Sequence, residues 1–352
     1  MKIGVALNMP ADPPRNDAEV LREHLALGDM VEPLGFDSLF ALEHHFTDYV
    51  LSPDPLQLLT YFAGRTHRIE LGTAVAVLPL QNPIRLAEQI AILDVLSNGR
   101  CLFAFGRGSA ASEFRGFGIS TDESRQRFQE AASVLVGLLS QSTFQHSGKY
   151  FQIPPLSLRP VPVSSPHQRF FGAARSTESI ELMAGLGFGL LVSTQKDWST
   201  LGDDLRIFHA AALNAGAFPR RPIVLAMLSV DRSREAAFSR ALKFFRRDLE
   251  FGRSHYGGAA TAAQGMTVPD ISDIAANQIV GTPTDCVEQI VRLVNLTAPE
   301  HLLLEFSYGG MPQRDAVCNL QVFAREVLPR LRAIGDCVAA SSAPLLEGDS
   351  RC

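Results

Sequence analysis

Leu42-Glu43-His44-His45-Phe46-Thr47 sets three ionisable side chains in succession, two of them imidazoles. An imidazole has an ordinary pKa of roughly 6.5, so it exchanges protons near neutral pH. The run follows a short apolar segment that reads as the end of a strand. Successive strand residues alternate between faces, so His44 and His45 cannot both point into one pocket. That alternation opposes a two-histidine metal centre, which on a helix would need i, i+4 spacing, and no metal is expected. Taken alone, His44 is either a functional group or a histidine satisfied within a loop.

A second group of residues has the makings of an anion site. Gly106-Arg107-Gly108-Ser109-Ala110-Ala111 formally matches a dinucleotide-binding pattern. That fingerprint belongs on the first β–α turn of its domain, however, and here it follows the fourth apolar run. The glycines are better used in letting the backbone come close to a ligand, with Arg107 reaching over it. Arg125 opens a later helical stretch, and Ser176-Thr177-Glu178-Ser179 has the composition of a helix N-terminus, with Ser176 as cap and Ser179 in the first turn. Free amides, the positive dipole end, two hydroxyls and two guanidiniums together suit a dianionic phosphate. The plainer alternative is that the arginines are solvated and the serines only cap.

These residues must be positioned by a regular framework. Eight apolar runs read as strands: Ile3 to Leu7, Ser38 to Leu42, Glu70 to Leu78, Cys101 to Phe105, Arg169 to Gly172, Gly189 to Ser193, Ile223 to Ser229 and His301 to Phe306. Segments of helical period separate them, as when buried parallel strands are covered by helices. Eight β-then-α units predict a (β/α)₈ TIM barrel, whose active site lies at the carboxyl ends of the strands. A single domain over 1–335 is expected, with 336–352 as a flexible tail. Residues 140–166 read as an ordered excursion. The Gly- and Ala-rich stretch 251–280 reads as a lid over the active site or a surface insertion.

Composition narrows the function class. At 352 residues, 46% hydrophobic and 20% charged, the chain can bury a large core. Its net charge of -5 is spread without blocks, which gives no reason to expect nucleic acid or an anionic membrane as partner. The five cysteines are scattered and form no C-x-x-C pair, so neither a zinc site nor a disulfide framework is indicated. No stretch reaches membrane-spanning length, and a cytoplasmic protein acting on a small molecule is expected.

Several short motifs in order carry a family resemblance. Leu42 to Asp48, Gly64-Arg65-Thr66, Leu71-Gly72-Thr73, Val77-Leu78-Pro79, Asn82-Pro83, Asp94 to Arg100, Arg107-Gly108, Phe117-Gly118, Glu123-Ser124-Arg125 and Gly281-Thr282-Pro283 resemble the bacterial luciferase α subunit and its luciferase-like monooxygenase relatives. The resemblance implies an FMN site with the phosphate against Arg107, Arg125 and the turn from Arg175 and Ser176 to Ser179. It also implies a non-proline cis peptide under the flavin ring, here Ala74-Val75. In that family reduced FMN and O2 form a flavin C4a-peroxide, and the residue matching His44 is important for the oxidative step. His44 is therefore expected to be a general acid/base, with Glu43 and His45 orienting it or shaping the pocket.

No separate nicotinamide domain is evident, so a partner flavin reductase is expected to supply reduced FMN; by the same analogy the protein is a homodimer. The luciferase α subunit carries a reactive cysteine where this chain has Gly106, and its lid differs from 251–280. Both departures lead away from a long-chain aldehyde substrate and towards oxidation of another small organic molecule, in biosynthesis or catabolism. The alternatives are a deazaflavin-dependent dehydrogenase or reductase on the same barrel, and a non-catalytic flavin-binding subunit.

Overall fold

A computed structural model describes residues 1–11, 14–256 and 276–341. Its strands are β1 (Lys2–Leu7), β2 (Ser38–Ala41), β3 (Glu70–Val77), β4 (Cys101–Gly106), β5 (Phe144–Ser147), β6 (Gln152–Leu156), β7 (Phe170–Ala173), β8 (Gly189–Ser193), β9 (Ile223–Val230), β10 (Ile279–Gly281) and β11 (His301–Glu305). Eight of them, β1, β2, β3, β4, β7, β8, β9 and β11, pair in parallel and close when β8 meets β9. These are the eight expected strands, and the fold is a (β/α)₈ barrel. The excursion at 140–166 contains the β5–β6 hairpin. The strands of that hairpin and β10 are additions to the eight expected strands. The three residues of β10 are too few to show a period, and it pairs with the end of β9 outside the closed ring.

The covering helices begin with α1 (Asp17–Asp29), α2 (Pro55–Ala63), α3 (Pro83–Ser97), α4 (Ala111–Gly116), α5 (Ser124–Ser140), α6 (Thr177–Gly185), α7 (Trp198–Asn214) and α8 (Arg234–Tyr256). Helices Pro283–Thr297, Gln313–Val322 and Leu328–Ser341 follow. Their starts are written in the sequence. Asp54 and Asn82 accept from the first free amides of α2 and α3, each with proline at the first helical position. Thr282 and Asp285 form a reciprocal capping box. The last helix runs to Ser341, so 336–341 continue it instead of starting a tail; 342–352 lie outside the described residues. Of the stretch expected to be a lid, 251–256 extend α8 and 279–281 form β10, while 257–275 lie outside the described residues. Among the described residues no helix is long and apolar enough to cross a membrane.

Strand register fixes which side chains look into the barrel. A Cβ on Gly4 would lie 2.1 Å from Ser38 Oγ and 2.8 Å from Leu303, and one on Gly72 would lie 2.3 Å from the Phe40 ring. Leu7 instead touches the position of Gly28 on α1, outside the ring. Alternation then turns Asn8, His44 and Glu305 inward at the carboxyl rim.

At the opposite end, Glu70 ties the barrel together. Its carboxylate meets Lys2 at 2.7 Å and the buried His301 at 3.1 Å, and also binds Arg169. Burial opposes its ionisation, yet the hydrogen bonds from His301 and Lys2 prevail and hold its pKa at about 2. A pKa depressed on folding gives stability above the unfolded value that disappears as pH falls through the folded value. Glu70→Gln is expected to cost on the order of 2 kcal/mol at neutral pH, discounted because Lys2 is half in solvent. Denaturant melts of wild type and variant should converge between about pH 4.5 and 2. A gap that stays constant over that window would remove this role.

Candidate active site

The chain leaves β2 at Ala41, and Ser52 Oγ donates to the Leu42 carbonyl at 2.6 Å while the His44 N–H donates to the Ser52 carbonyl at 3.0 Å. These bonds hold the Glu43 to Phe46 run as a shaped loop. Glu43 is buried and faces away from His44: it accepts from His45 Nε2 at 2.9 Å, from the Val77 N–H at 2.9 Å and from the Gln81 amide at 3.0 Å. Glu43 and His45 thus brace the end of β2 against the end of β3. His45 also packs edge-on against Phe117.

The carboxylate that orients His44 is Glu113, on the short α4. Its Oε1 accepts from His44 Nδ1 at 2.9 Å, from the His45 N–H at 2.9 Å and from His255 Nε2 at 3.0 Å. Burial works against the charge, but the bonds from His255 and His44 outweigh it and keep the Glu113 pKa at about 2. A carboxylate at that site fixes the proton on Nδ1, leaving Nε2 of neutral His44 as an acceptor. Tyr256 Oη lies 3.3 Å from Nε2, and burial raises the phenol's pKa, so it stays protonated and donates. Glu113, His44 and Tyr256 form one hydrogen-bonded line, with Tyr49 5.1 Å from the His44 ring, centroid to centroid.

His44, His255 and Glu113 place ligand-type atoms within 4.8 Å of one another, a set seen in metal sites. Here a single oxygen takes all three N–H groups, so both imidazoles present protons to the centre instead of lone pairs.

Glu113, His255 and Tyr256 were not singled out from the sequence. Glu113 lies 69 residues from His44 and His255 lies 142 residues from Glu113, and neither sits in a motif of its own. The one available signal was position: Glu113 follows the glycine turn after β4.

The anion-site residues gather in part. Arg125 pairs with Glu178 at 2.8 Å, and Ser176 caps α6, its Oγ accepting from the Ser179 N–H and donating to Ser179 Oγ at 3.0 Å. Arg107 is half-buried; burial first, then the charge of Arg125, lower its pKa. Arg175 takes another direction: its Nη2 donates to Gln195 Oε1 at 2.6 Å, and its charge acts on Tyr49 and Tyr256. The Ala74-Val75 peptide is cis, and β3 and β4 slip register at this point.

Val75 explains Gly106. A Cβ at residue 106 would lie 2.5 Å from Val75 Cγ2, on a stiff β-branched side chain. Gly106→Ala is expected to cost about 1–3 kcal/mol through overpacking, and adding Val75→Ala should return most of it. Equal stability of the Gly106→Ala protein and wild type in urea melts would refute the contact.

Comparisons with known proteins agree with the geometry. The chain is 26% identical over 345 residues to the alkanal monooxygenase alpha chain of Photobacterium leiognathi, covering 91% of this chain and 96% of that one. Its structure superposes on the monooxygenase RslO1 from Streptomyces bottropensis with a TM-score of 0.84 and 26% identity, over 94% of this chain and 99% of that one. Two more distant structures share the fold at a TM-score of 0.76. One is the oxygenating constituent of 3,6-diketocamphane monooxygenase from Pseudomonas putida in complex with FMN, at 21% identity over 94% of this chain and 99% of that one. The other is an F420-dependent secondary alcohol dehydrogenase, at 20% identity with the same coverage. The model of the luciferase-like monooxygenases matches residues 1–300, and the chain belongs to that family of oxidoreductases.

Proposed function

We propose that this protein is an FMN-dependent monooxygenase that takes reduced FMN from a partner reductase and uses dioxygen to oxidise a small organic substrate. The reading is supported by two features together: the Arg125 charge acting on Arg107 at the rim after β4, and a histidine braced by a carboxylate after β2. Arg125 is near enough to Arg107 to disfavour its charge, and the carboxylate paired with Arg125, Glu178, is exposed. A dianion held by both guanidiniums and the free amides of α6 fits this donor set better than Glu178 alone. When bound, reduced FMN supplies the electrons that activate dioxygen.

The protein's own groups do the rest. His44 moves a proton through Nε2, with Nδ1 anchored on Glu113. Tyr256 donates to Nε2 and hands that position over when a ligand arrives. Tyr49 and Phe117 wall the histidines and keep water from them. Glu43 and His45 hold the wall in place.

Titration with FMN, riboflavin and a deazaflavin cofactor tests the reading. Arg107→Ala should weaken FMN by roughly 10- to 100-fold and leave riboflavin nearly unchanged. Equal losses for the two would sink the phosphate assignment. Tighter binding of the deazaflavin would favour a hydride-transferring reductase, as in the F420-dependent neighbour. Binding of reduced FMN without any oxygen consumption would favour a non-catalytic subunit. A homodimer completes the proposal, and the mass in solution checks it.

A further inference from the structure

Besides His44, two inward-facing polar residues stand at the carboxyl rim: Asn8, just past β1, and Glu305, the last residue of the neighbouring β11. Asp248, on the same helix as His255 and two turns before it, comes down onto them. The Asn8 amide and the Gly309 N–H approach the Asp248 carboxyl, and the charges of Asp248 and Glu305 act on each other and on the Tyr49 phenol.

The three side chains are almost wholly buried, with 2% of Asn8, 3% of Asp248 and 4% of Glu305 exposed. Asn8 Oδ1 and Asp248 Oδ1 are buried with no hydrogen-bond partner, and the buried Glu305 carboxyl has the charge of Asp248 acting on it. Buried acceptors without donors are rare in folded proteins and ask for an explanation. Neither the histidine relay nor the phosphate cluster uses any of them.

We propose that Asn8, Asp248 and Glu305 form a subsite for a protonated amine carried by the substrate. An ammonium presents N–H donors for Asn8 Oδ1 and Asp248 Oδ1 and a further one for the Glu305 carboxyl, together with the positive charge that two adjacent carboxyls favour. A trapped water has two donors but no charge, so it would satisfy the two orphaned oxygens and leave the carboxyls uncompensated. Burial pushes Asp248 up to about 7 and Glu305 up to about 8, the state of two carboxyls that lack a cation. The Tyr49 and His255 rings contact each other and His44, and the charges of Asp248 and Glu305 act on the Tyr49 phenol, which links this subsite to the acid/base centre.

The inference rests on the barrel mouth being the substrate pocket. Its test uses the full chain with n-alkylammonium ions and the n-alkanols of the same length as probes, by calorimetry, with and without FMN. The ammonium ions are expected to bind at least about tenfold more tightly than the alkanols. Asp248→Asn and Glu305→Gln keep shape and remove the charge, and each should lose about tenfold in ammonium affinity without changing alkanol or FMN affinity. Amide isosteres suit a buried site that already disfavours charge, so thermal melts should stay at or above wild type. Should a variant fail to fold, the wild-type comparison of ammonium with alkanol still decides.

Parity between the two probe series, absence of ammonium binding, or variants that keep ammonium affinity would overturn the subsite. FMN affinity in the same samples separates the outcomes. Intact FMN binding without amine discrimination condemns the subsite alone, and amine discrimination without FMN binding condemns the flavin reading alone.

Discussion

His44→Ala is expected to slow oxidation by bound reduced FMN and dioxygen by about 10²–10⁴-fold, the range that a positioned general acid or base contributes. The loss should fall on the chemical step and leave FMN affinity unchanged, because the residues proposed to hold the phosphate are Arg107, Arg125 and the cap of α6. Geometry supports the size of the effect. His44 alone of the two rim histidines faces inward, with Nε2 against the Tyr256 hydroxyl and Nδ1 on a buried carboxylate. His45 spends its Nε2 on Glu43 and packs under Phe117. His45→Ala is therefore expected to act through stability more than through turnover. Stopped-flow mixing of the reduced-FMN complex with oxygen reads the chemical step directly. A reoxidation time course in His44→Ala that superposes on wild type would take His44 out of the chemistry.

The contrast between the two histidines shows how much of this site could be read in the sequence. Alternation along a strand is a property of the backbone, so it could be applied to His44 and His45 without knowing what lay around them. The same holds for the barrel, since each parallel strand announces itself as a continuous apolar run. Ser176 as a cap with Ser179 in the first turn is equally local, and its hydrogen bonds are present. What stayed hidden depends on closure of the chain over long distances. Glu43, one residue away, was the obvious carboxylate to orient His44, yet its side chain points at the end of β3 and bonds the Val77 N–H. Adjacency along a strand puts neighbours on opposite faces. The true partner had to come from another β–α connection, and Glu113 does. His255 and Asp248 were hidden for a related reason: they lie two turns apart on a helix that runs to Tyr256, into the stretch from 251 that reads as a lid or insertion.

Arg175 separates in the opposite sense. The resemblance groups it with the phosphate residues; its guanidinium donates to Gln195, and its charge acts on Tyr49 and Tyr256. Nearness in sequence to a helix cap says where the backbone goes and little about a long side chain.

Glu113 offers the sharpest test of the relay. Glu113→Gln keeps the volume and one acceptor but removes the charge on which His44 Nδ1, the His45 N–H and His255 Nε2 converge. Turnover should fall by roughly 10- to 100-fold, less than for His44→Ala, because the imidazole remains in place but its proton is no longer fixed on Nδ1 and its charged form loses a partner. Glu113 touches neither flavin nor substrate in this scheme, so it is a positioning residue, and its effect must run through His44. That requirement gives a measurement that a purely structural role would not satisfy. In the His44→Ala background, Glu113→Gln should cost little further activity, since groups acting as one unit are strongly non-additive. Stability should behave otherwise: the variant loses charge-assisted bonds that His45 and His255 still seek, so its denaturant midpoint should fall whether or not His44 is present. Additive losses of turnover across the cycle would mean that Glu113 supports the fold but does not orient His44.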